Sequence, residues 1–467
     1  MKTFIGPQLR RLRRDAKETQ AQMARKLGIS TSYVNLLEKN ERSVSVPVLL
    51  KLIEIYGVDW RDIAQDDNTA QLADLKAALQ DPLFVSEQPD IIQLRSALSH
   101  SPDLASSFLR LHRAYQAVTD QLMAVAEAGG TEVGRPNPSP ETAVHTFFRE
   151  RRNYFPELET KAAEFWEGQT IAPDDIYTAL KARLLEKFKI KVVIISVEDM
   201  SGALRDYSEF QRIVRLSEAL DHPNRVFQLV HVCCLIEQQV TLDKILSSSG
   251  VIDNRRKTRC RVELANYFAA AVLMPYDNFL HEAISKKYDF ARLSAQFGVS
   301  FEQACHRATT LQKSGAQGVP FFFFRIDKAG NVTKRFNATD FHLAEYGGAC
   351  PRLDVHASFR TPEQILTQFV QMPDSSRFFV FSRTVARPVT SRHEQDLSLA
   401  IAMGCSIEHI GAIGYAEGFE MTLERTTPIG INCRICPRKN CDQRAYSATI
   451  LTDPLDARKR GATSYDS

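Results

Sequence analysis

The stretch ETQAQMARKLGISTSYVNLLEKNER, Glu18 to Arg42, constrains this chain more than any other. A short run of helix formers, Gln20 to Leu27, meets Gly28, and a second run begins behind Ser30. Glycine reaches the left-handed backbone that ends a helix. A serine at the next helix start offers its hydroxyl to an orphan amide. Met23, Ala24, Leu27, Ile29, Val34 and Leu37 then form one apolar seam between the two segments. The spacing predicts a helix-turn-helix in an all-α first domain, residues 1–66.

Charge gathers at the same end. Residues 1–45 carry ten lysines and arginines against four acids, an excess of six positive charges. Such an excess suits a polyanion, because neutralising phosphates releases counterions. The segment resembles the bacterial Cro/C1-type (Xre) repressor domain. That resemblance implies a second helix in the major groove, with Thr31, Ser32 and Asn35 at base edges, Ser30 at the DNA-facing helix start and Gln20 bracing the helix on the backbone. Arg13, Arg14 and Arg42 are the expected phosphate contacts.

Leu104, Phe108, Leu111, Tyr115, Val118, Leu122 and Val125 follow alternating steps of four and three, the stripe of a coiled-coil seam. A helical connector over 67–130 is expected, and a homodimer through this stripe would supply two DNA-reading heads. EAGGTEVGRPNPSP, 127–140, has the glycine and proline density of a linker.

FKIKVVIISVED (188–199) reads as a buried strand and FQLVHVCCLIE (227–237) as a helix, followed by RVELANYFAAAVLMPYDNF. This order resembles the ImmA/IrrE regulatory zinc peptidases and implies an α+β domain over 140–315. In that family the first helix carries H-E-x-x-H and the second supplies a glutamate, for which Glu263 is the candidate. Here Val232 follows His231, and Leu235 stands where the second histidine belongs. Valine cannot take a proton and leucine cannot bind zinc, so the design lacks its general base and a ligand. Cys234 shares a helix face with His231 and leaves a substitute His/Cys/Glu site as an alternative. The expectation is a degenerate peptidase, not an enzyme.

The remaining third, 316–452, is expected to be an α/β domain, followed by a polar tail over 453–467. PFFFFRIDKAGNVTKRF reads as a hairpin turning near Gly330–Asn331. SRFFVFSRTVARP reads as a strand pair with Arg377, Arg383 and Arg387 near its ends. INCRICPRKNCDQRA places Cys433, Cys436 and Cys441 in a C-x₂-C-x₄-C run beside Arg434, Arg438 and Lys439. Cations near thiols favour thiolates and hence a metal centre. Cys405 is the expected fourth ligand, because Gly404 before it would let backbone approach a cluster closely. Cys350 is the alternative. Spacing alone leaves zinc and an iron–sulfur cluster both open.

Taken together, the helix-turn-helix, ANYFAAAVLMPY, GGACPRLDVH and CRICPRKNCDQRA resemble the short-chain fatty acyl-CoA regulators of bacteria. The resemblance implies a transcription factor that binds operator DNA and senses acyl-CoA thioesters such as propionyl-CoA. It also implies a [4Fe–4S] cluster rather than zinc. A redox or iron sensor working through the cluster, and an active peptidase fused to a repressor, are the alternatives. Composition agrees: 467 residues suggest about three domains. No apolar run reaches membrane-span length, and the N-terminus lacks a secretory core, so a cytoplasmic protein is expected. Nine cysteines in such a chain argue for metal or free thiols over disulfides.

Overall fold

The computed structural model describes residues 6–446, apart from 17, 40, 57–68, 80, 82–83, 85–88, 128–139, 169–170, 173–174, 250–252, 342–347, 386–397, 420–424, 435 and 440. The expected tail, Arg387, and the linker except its two end residues lie outside the described residues. Two compact units divide the chain, Met1–Asn137 and Pro138–Ser467.

The first unit opens with α1 (Gly6–Asp15), α2 (Gln20–Leu27), α3 (Thr31–Glu38) and α4 (Val46–Tyr56). Thr19 and Gln22 cap α2 reciprocally, and Gly28 ends it at φ 67°. The Ser30 hydroxyl accepts from the Tyr33 amide and starts α3. Met23, Leu27 and Val34 are fully buried with Leu9, Leu37 and Leu52, while Ile29 packs on their rim. Each fully buried aliphatic contributes roughly 1.5–3 kcal/mol relative to exposure, enough to hold two such short helices together.

A second cluster in this unit joins α5 (Thr69–Leu79), α6 (Ile91–His100) and α7 (Pro102–Glu127). Helix α7 turns Ala105, Leu109 and His112 inward, and His112 meets Asp81 at 3.2 Å. Its expected seam faces elsewhere. Leu104 and Leu111 are each 70% exposed and Tyr115 41%, and of that stripe Phe108 packs against the cluster. The side chains of Leu122 and Val125 lie outside the described residues.

The second unit begins with α8 (Pro140–Glu150), α9 (Pro156–Ala163) and α10 (Ile176–Phe188). A three-stranded sheet follows: β1 (Lys191–Ile195), β2 (Arg205–Ser208) and β3 (Ile213–Ser217) in the order β1-β3-β2. Strand β1 is parallel to β3, and β2 antiparallel. The expectation of a buried run at β1 fails, because β1 is an edge strand and Ile194 is 47% exposed. Helices α11 (His222–Glu237), α12 (Gln239–Ser247), α13 (Asn254–Leu273), α14 (Tyr276–Ser285), α15 (Phe290–Phe297) and α16 (Phe301–Ala308) complete the α+β part. Fully buried Arg307 on α16 pairs with Glu159 on α9 at 2.6 and 3.0 Å, tying the ends of this part together.

Beyond α16 the chain is β-rich. Strands β4 (Phe322–Ile326), β5 (Val332–Asn337), β6 (Leu366–Gln371), β7 (Arg377–Val385), β8 (Leu399–Ser406) and β9 (Thr426–Pro428) form one sheet. Its order is β5-β4-β8-β7-β6-β9, antiparallel except between β6 and β9. The β4–β5 hairpin turns as expected, with Gly330 at φ 83° and Asp327 accepting from the Ala329 and Asn331 amides. Arg377–Val385 is one strand rather than a pair, with Arg377–Ser382 paired to β6 and Phe378–Val385 to β8.

Alternation separates the two faces of this sheet. Phe323, Phe379, Phe381, Ile401, Met403 and Cys405 join the helical core. Phe322, Phe324, Phe378, Val380, Ala400 and Ala402 form a second core with Cys350 and Ile429.

Candidate functional site

Three places carry chemistry. At the helix-turn-helix, Thr31 and Ser32 are exposed at the start of α3, and Asn35 is half-buried one turn on. Ser30 serves as the cap and its hydroxyl lies 3.0 Å from that of Ser32. Arg14 and Arg42 are exposed. Arg13 and Gln20 turn to a partner within the fold, Glu38. Arg13 Nε and Nη2 donate to the two Glu38 carboxylate oxygens at 2.6 and 3.2 Å, and Gln20 Nε2 donates to Oε2 at 2.8 Å. Arg10 adds a donor to the Glu38 carbonyl at 3.2 Å. Burial acts to raise the Glu38 pKa, but these donors and charges outweigh it and hold the carboxylate below its usual range. Glu38 thus fastens the end of the recognition helix to α1 and α2. A helix-end glutamate twenty-five residues from its arginine leaves no local signal in the sequence.

At the peptidase-like centre, α11 and α13 bring His231 and Glu263 close enough to feel each other's charge. The residue that completes the arrangement is Arg205, from β2. Its Nη1 contacts His231 Nδ1. A guanidinium can only donate, so Nδ1 accepts and the ring proton sits on Nε2, in keeping with the bond between His231 and the Val262 backbone. Burial, then the Arg205 charge, holds the His231 pKa at about 3. Glu263 is likewise engaged, by Arg259 at 2.9 Å, Asn266 at 3.2 Å and Lys334 at 3.5 Å. Val232, Cys233 and Cys234 are fully buried, and burial pushes the Cys233 thiol up to about 12. Buried apolar neighbours keep such thiols protonated. Among the described residues no three Cys, His, Asp or Glu side chains converge as metal ligands, so the substitute His/Cys/Glu site is not formed.

Four cysteines line one pocket in the C-terminal part: Cys350, Cys433, Cys436 and Cys441. Cys405 is not with them. It points from β8 into the helical core, on the opposite face of the sheet from Cys350. A close approach of glycine to a thiol is found at a different glycine from the expected one. A Cβ on Gly430 would lie 2.5 Å from Cys436 Sγ, whereas the space beside Gly404 is filled by the Phe322 ring and the Phe379 carbonyl. Amides of Gly430 and Ala445 donate to Cys350 Sγ and Cys433 Sγ at 3.5 Å each, the kind of N–H···S contact that stabilises bound thiolate. Arg438 anchors the loop by donating to the carbonyls of Ile429 at 2.7 Å and Gln371 at 2.8 Å. Burial, opposed by the Gly430 and Arg352 amides, raises the Cys350 thiol, and nearby Cys433 and Cys436 raise it further. The thiols share a pocket without meeting at one point. They supply four sulfur donors from one pocket, with backbone amides behind two of them.

No helix among the described residues is long and apolar enough to cross a membrane. The chain matches a helix-turn-helix domain over residues 9–63, the IrrE N-terminal-like domain over 185–309, and the C-terminal domain of short-chain fatty acyl coenzyme A regulators over 310–465. It is 36% identical over 465 residues to the propionyl-CoA carboxylase regulator of Cereibacter sphaeroides, covering 100% of this chain and 99% of that protein. It is 34% identical over 471 residues to the HTH-type transcriptional regulator RamB of Mycobacterium tuberculosis, covering 99% of this chain and 98% of that one. PrpR of the same organism is 34% identical over 449 residues, 95% of this chain and 92% of PrpR. A solved structure of a Mycobacterium tuberculosis transcriptional regulator aligns at a TM-score of 0.65 and 33% identity, over 71% of this chain and 100% of that chain. Full-length likeness above a third identity, with all three domains in order, makes this chain a helix-turn-helix transcriptional regulator of the short-chain fatty acyl coenzyme A regulator family.

Proposed function

We propose that this regulator binds operator DNA as a homodimer and changes that binding in response to a short-chain acyl-CoA such as propionyl-CoA. The observation that carries the reading is the Arg205–His231 contact. It occupies the histidine that a peptidase would give to zinc and leaves the fold free to sense rather than cleave. The name of the Cereibacter relative supports propionyl-CoA metabolism as the setting. The exposed Leu104, Leu111 and Tyr115 stripe of α7 supports the dimer, because an apolar row left out of its own core is available to a second copy. Ligand needs only differential affinity for two arrangements of the DNA-reading heads.

A [4Fe–4S] cluster on Cys350, Cys433, Cys436 and Cys441 belongs to the same proposal, with structural zinc as the alternative. When bound, a cluster supplies a redox-responsive cross-link between Cys350 and the C-terminal loop. The chain's own part is to present the thiols, donate amide hydrogen bonds to two of them and hold the loop through Arg438. Redox sensing is a second reading, favoured by the partial exposure of Cys433 and Cys441.

The test is fluorescence anisotropy on an operator selected from random DNA, with propionyl-CoA, acetyl-CoA and free CoA added in turn. The expected result is at least a tenfold change in Kd with propionyl-CoA and none with free CoA. Equal responses to all three overturn the acyl-CoA reading. A change produced by oxidation alone, with no effect of any thioester, would establish the redox reading instead.

A further inference from the structure

Among the described residues Arg205 is a cation without a carboxylate partner. A guanidinium carries five N–H donors, and among the described residues its one side-chain partner is the neutral His231. Desolvation lowers its pKa, and no carboxylate offsets that loss. Glu263, which acts on His231, is already shared by Arg259 and Lys334. His231 meets Arg205 directly and feels the charge of Glu263, which in turn acts on His306. His306 adds a second unmet group, since its Nε2 is buried with no hydrogen-bond partner. Buried charge of this kind is tolerated only when paired.

Geometry specifies what would pair with it. His231 takes Nη1, which leaves the parallel Nε–H and Nη2–H edge of Arg205 unspent. Elsewhere in this unit the same edge of Arg183 grips the Glu237 carboxylate at 2.8 and 2.7 Å. Arg205 is half-buried, so this edge is not sealed from solvent. It sits on an edge strand, β2, rather than in the sheet interior. A planar fork fixed at one end by a ring nitrogen is preorganised for two oxygens of one group.

We propose that the Arg205 fork, oriented by His231, is a receptor for an oxyanion, the phosphate or carboxylate group of a ligand. The histidine that would bind a metal in a peptidase orients an anion-binding fork here. Zinc and the oxyanion are alternatives at this place, because the Arg205 guanidinium stands against the histidine that zinc would need.

The experiment uses the full chain and two probes, inorganic phosphate and propionate, titrated at constant ionic strength while thermal unfolding is followed. A ligand that binds the native state alone raises the midpoint in a saturable way. Wild type should respond to at least one probe, and which one identifies the source of the oxyanion. Arg205→Met should abolish the response. Arg205→Lys, which keeps the charge but not the fork, should weaken affinity roughly ten- to a hundredfold, the usual weight of a charge-assisted bidentate contact. Lys191→Met, an exposed cation on the same sheet, should leave it unchanged. No saturable response in wild type overturns the proposal, and so does an equal response in either Arg205 variant. If Arg205→Met does not fold, the lysine variant decides alone. The result is separate from the acyl-CoA reading, which is judged on operator binding and not on these anions.

Discussion

Replacing Arg13 with methionine tests whether the DNA-reading helix is held from behind. The Glu38 carboxylate has three hydrogen bonds among the described residues, and Arg13 provides two of them. Glu38 is buried, with its side chain only 2% exposed, while Arg13 keeps 16%. Removing one partner of a buried pair typically costs about 3–5 kcal/mol. Arg10 remains 3.7 Å from the carboxylate, and Arg13 is partly wet, so the loss should fall near 2–3 kcal/mol. Hydrogen exchange of peptides spanning α2 and α3, in the full chain, reads this directly. At about 1.4 kcal/mol per tenfold, exchange should quicken roughly thirty- to 150-fold. Adding Glu38→Leu should restore most of the protection, because no buried charge is left without its partner. The folded-state pKa of Glu38 is depressed. The stabilisation is therefore fully present above the unfolded carboxylate pKa and lost as pH falls through the folded one. The gap between wild type and Arg13→Met should close on that acid side. Unchanged exchange in Arg13→Met, or an equal effect from exposed Arg14→Ala, would refute the argument.

Thr31→Ala with Ser32→Ala should weaken operator binding while sparing random DNA, and equal losses on both would sink the base-reading assignment. Anaerobically prepared protein should be brown; Cys350→Ser should bleach it and Cys405→Ser should not, with the reverse outcome restoring Cys405 as a ligand. His231 and His306 both have pKa values of about 3 in the fold against about 6.5 unfolded. Below pH 6.5 the unfolded chain takes protons first, so stability of the second unit should drop with falling pH by up to about 1.4 kcal/mol per pH unit for each histidine. His306→Phe should remove one proton's worth of that slope in acid titrations followed by circular dichroism. Val232→Glu with Leu235→His should produce no zinc-dependent peptide cleavage while Arg205 remains, and turnover in that variant would show that the centre is not blocked.

Local signals explain what could be read from the chain and what could not. The seam of Met23, Ala24, Leu27, Val34 and Leu37, the Gly28 stop and the Ser30 cap all act within a few residues, so their pattern is visible in sequence. The loss of H-E-x-x-H is equally local. Arg205 is not, because its role depends on β2 crossing beside α11, twenty-six residues away. Cys405 misled for a related reason. "MGC" sets a thiol beside a glycine, but alternation along LAIAMGCS sends Cys405 to the helical side. Arg13 and Gln20 carried donors suited to phosphate, and only the folded position of Glu38 shows them turned inward.

The alternation within β4 has a mechanical consequence. Phe322, Phe324 and Ile326 belong to the core that contains Cys350, while Phe323, between them, belongs to the core that contains His231's helix. Phe322 lies flat on Phe341 at 3.8 Å, and Phe323 sits 6.4 Å from the His306 ring. A strand is stiff along its length, so it cannot shift one set of side chains without carrying the other. Any displacement of β4 from the cysteine side would arrive at His306 as the stroke of a common lever, with no chain of loosened contacts in between.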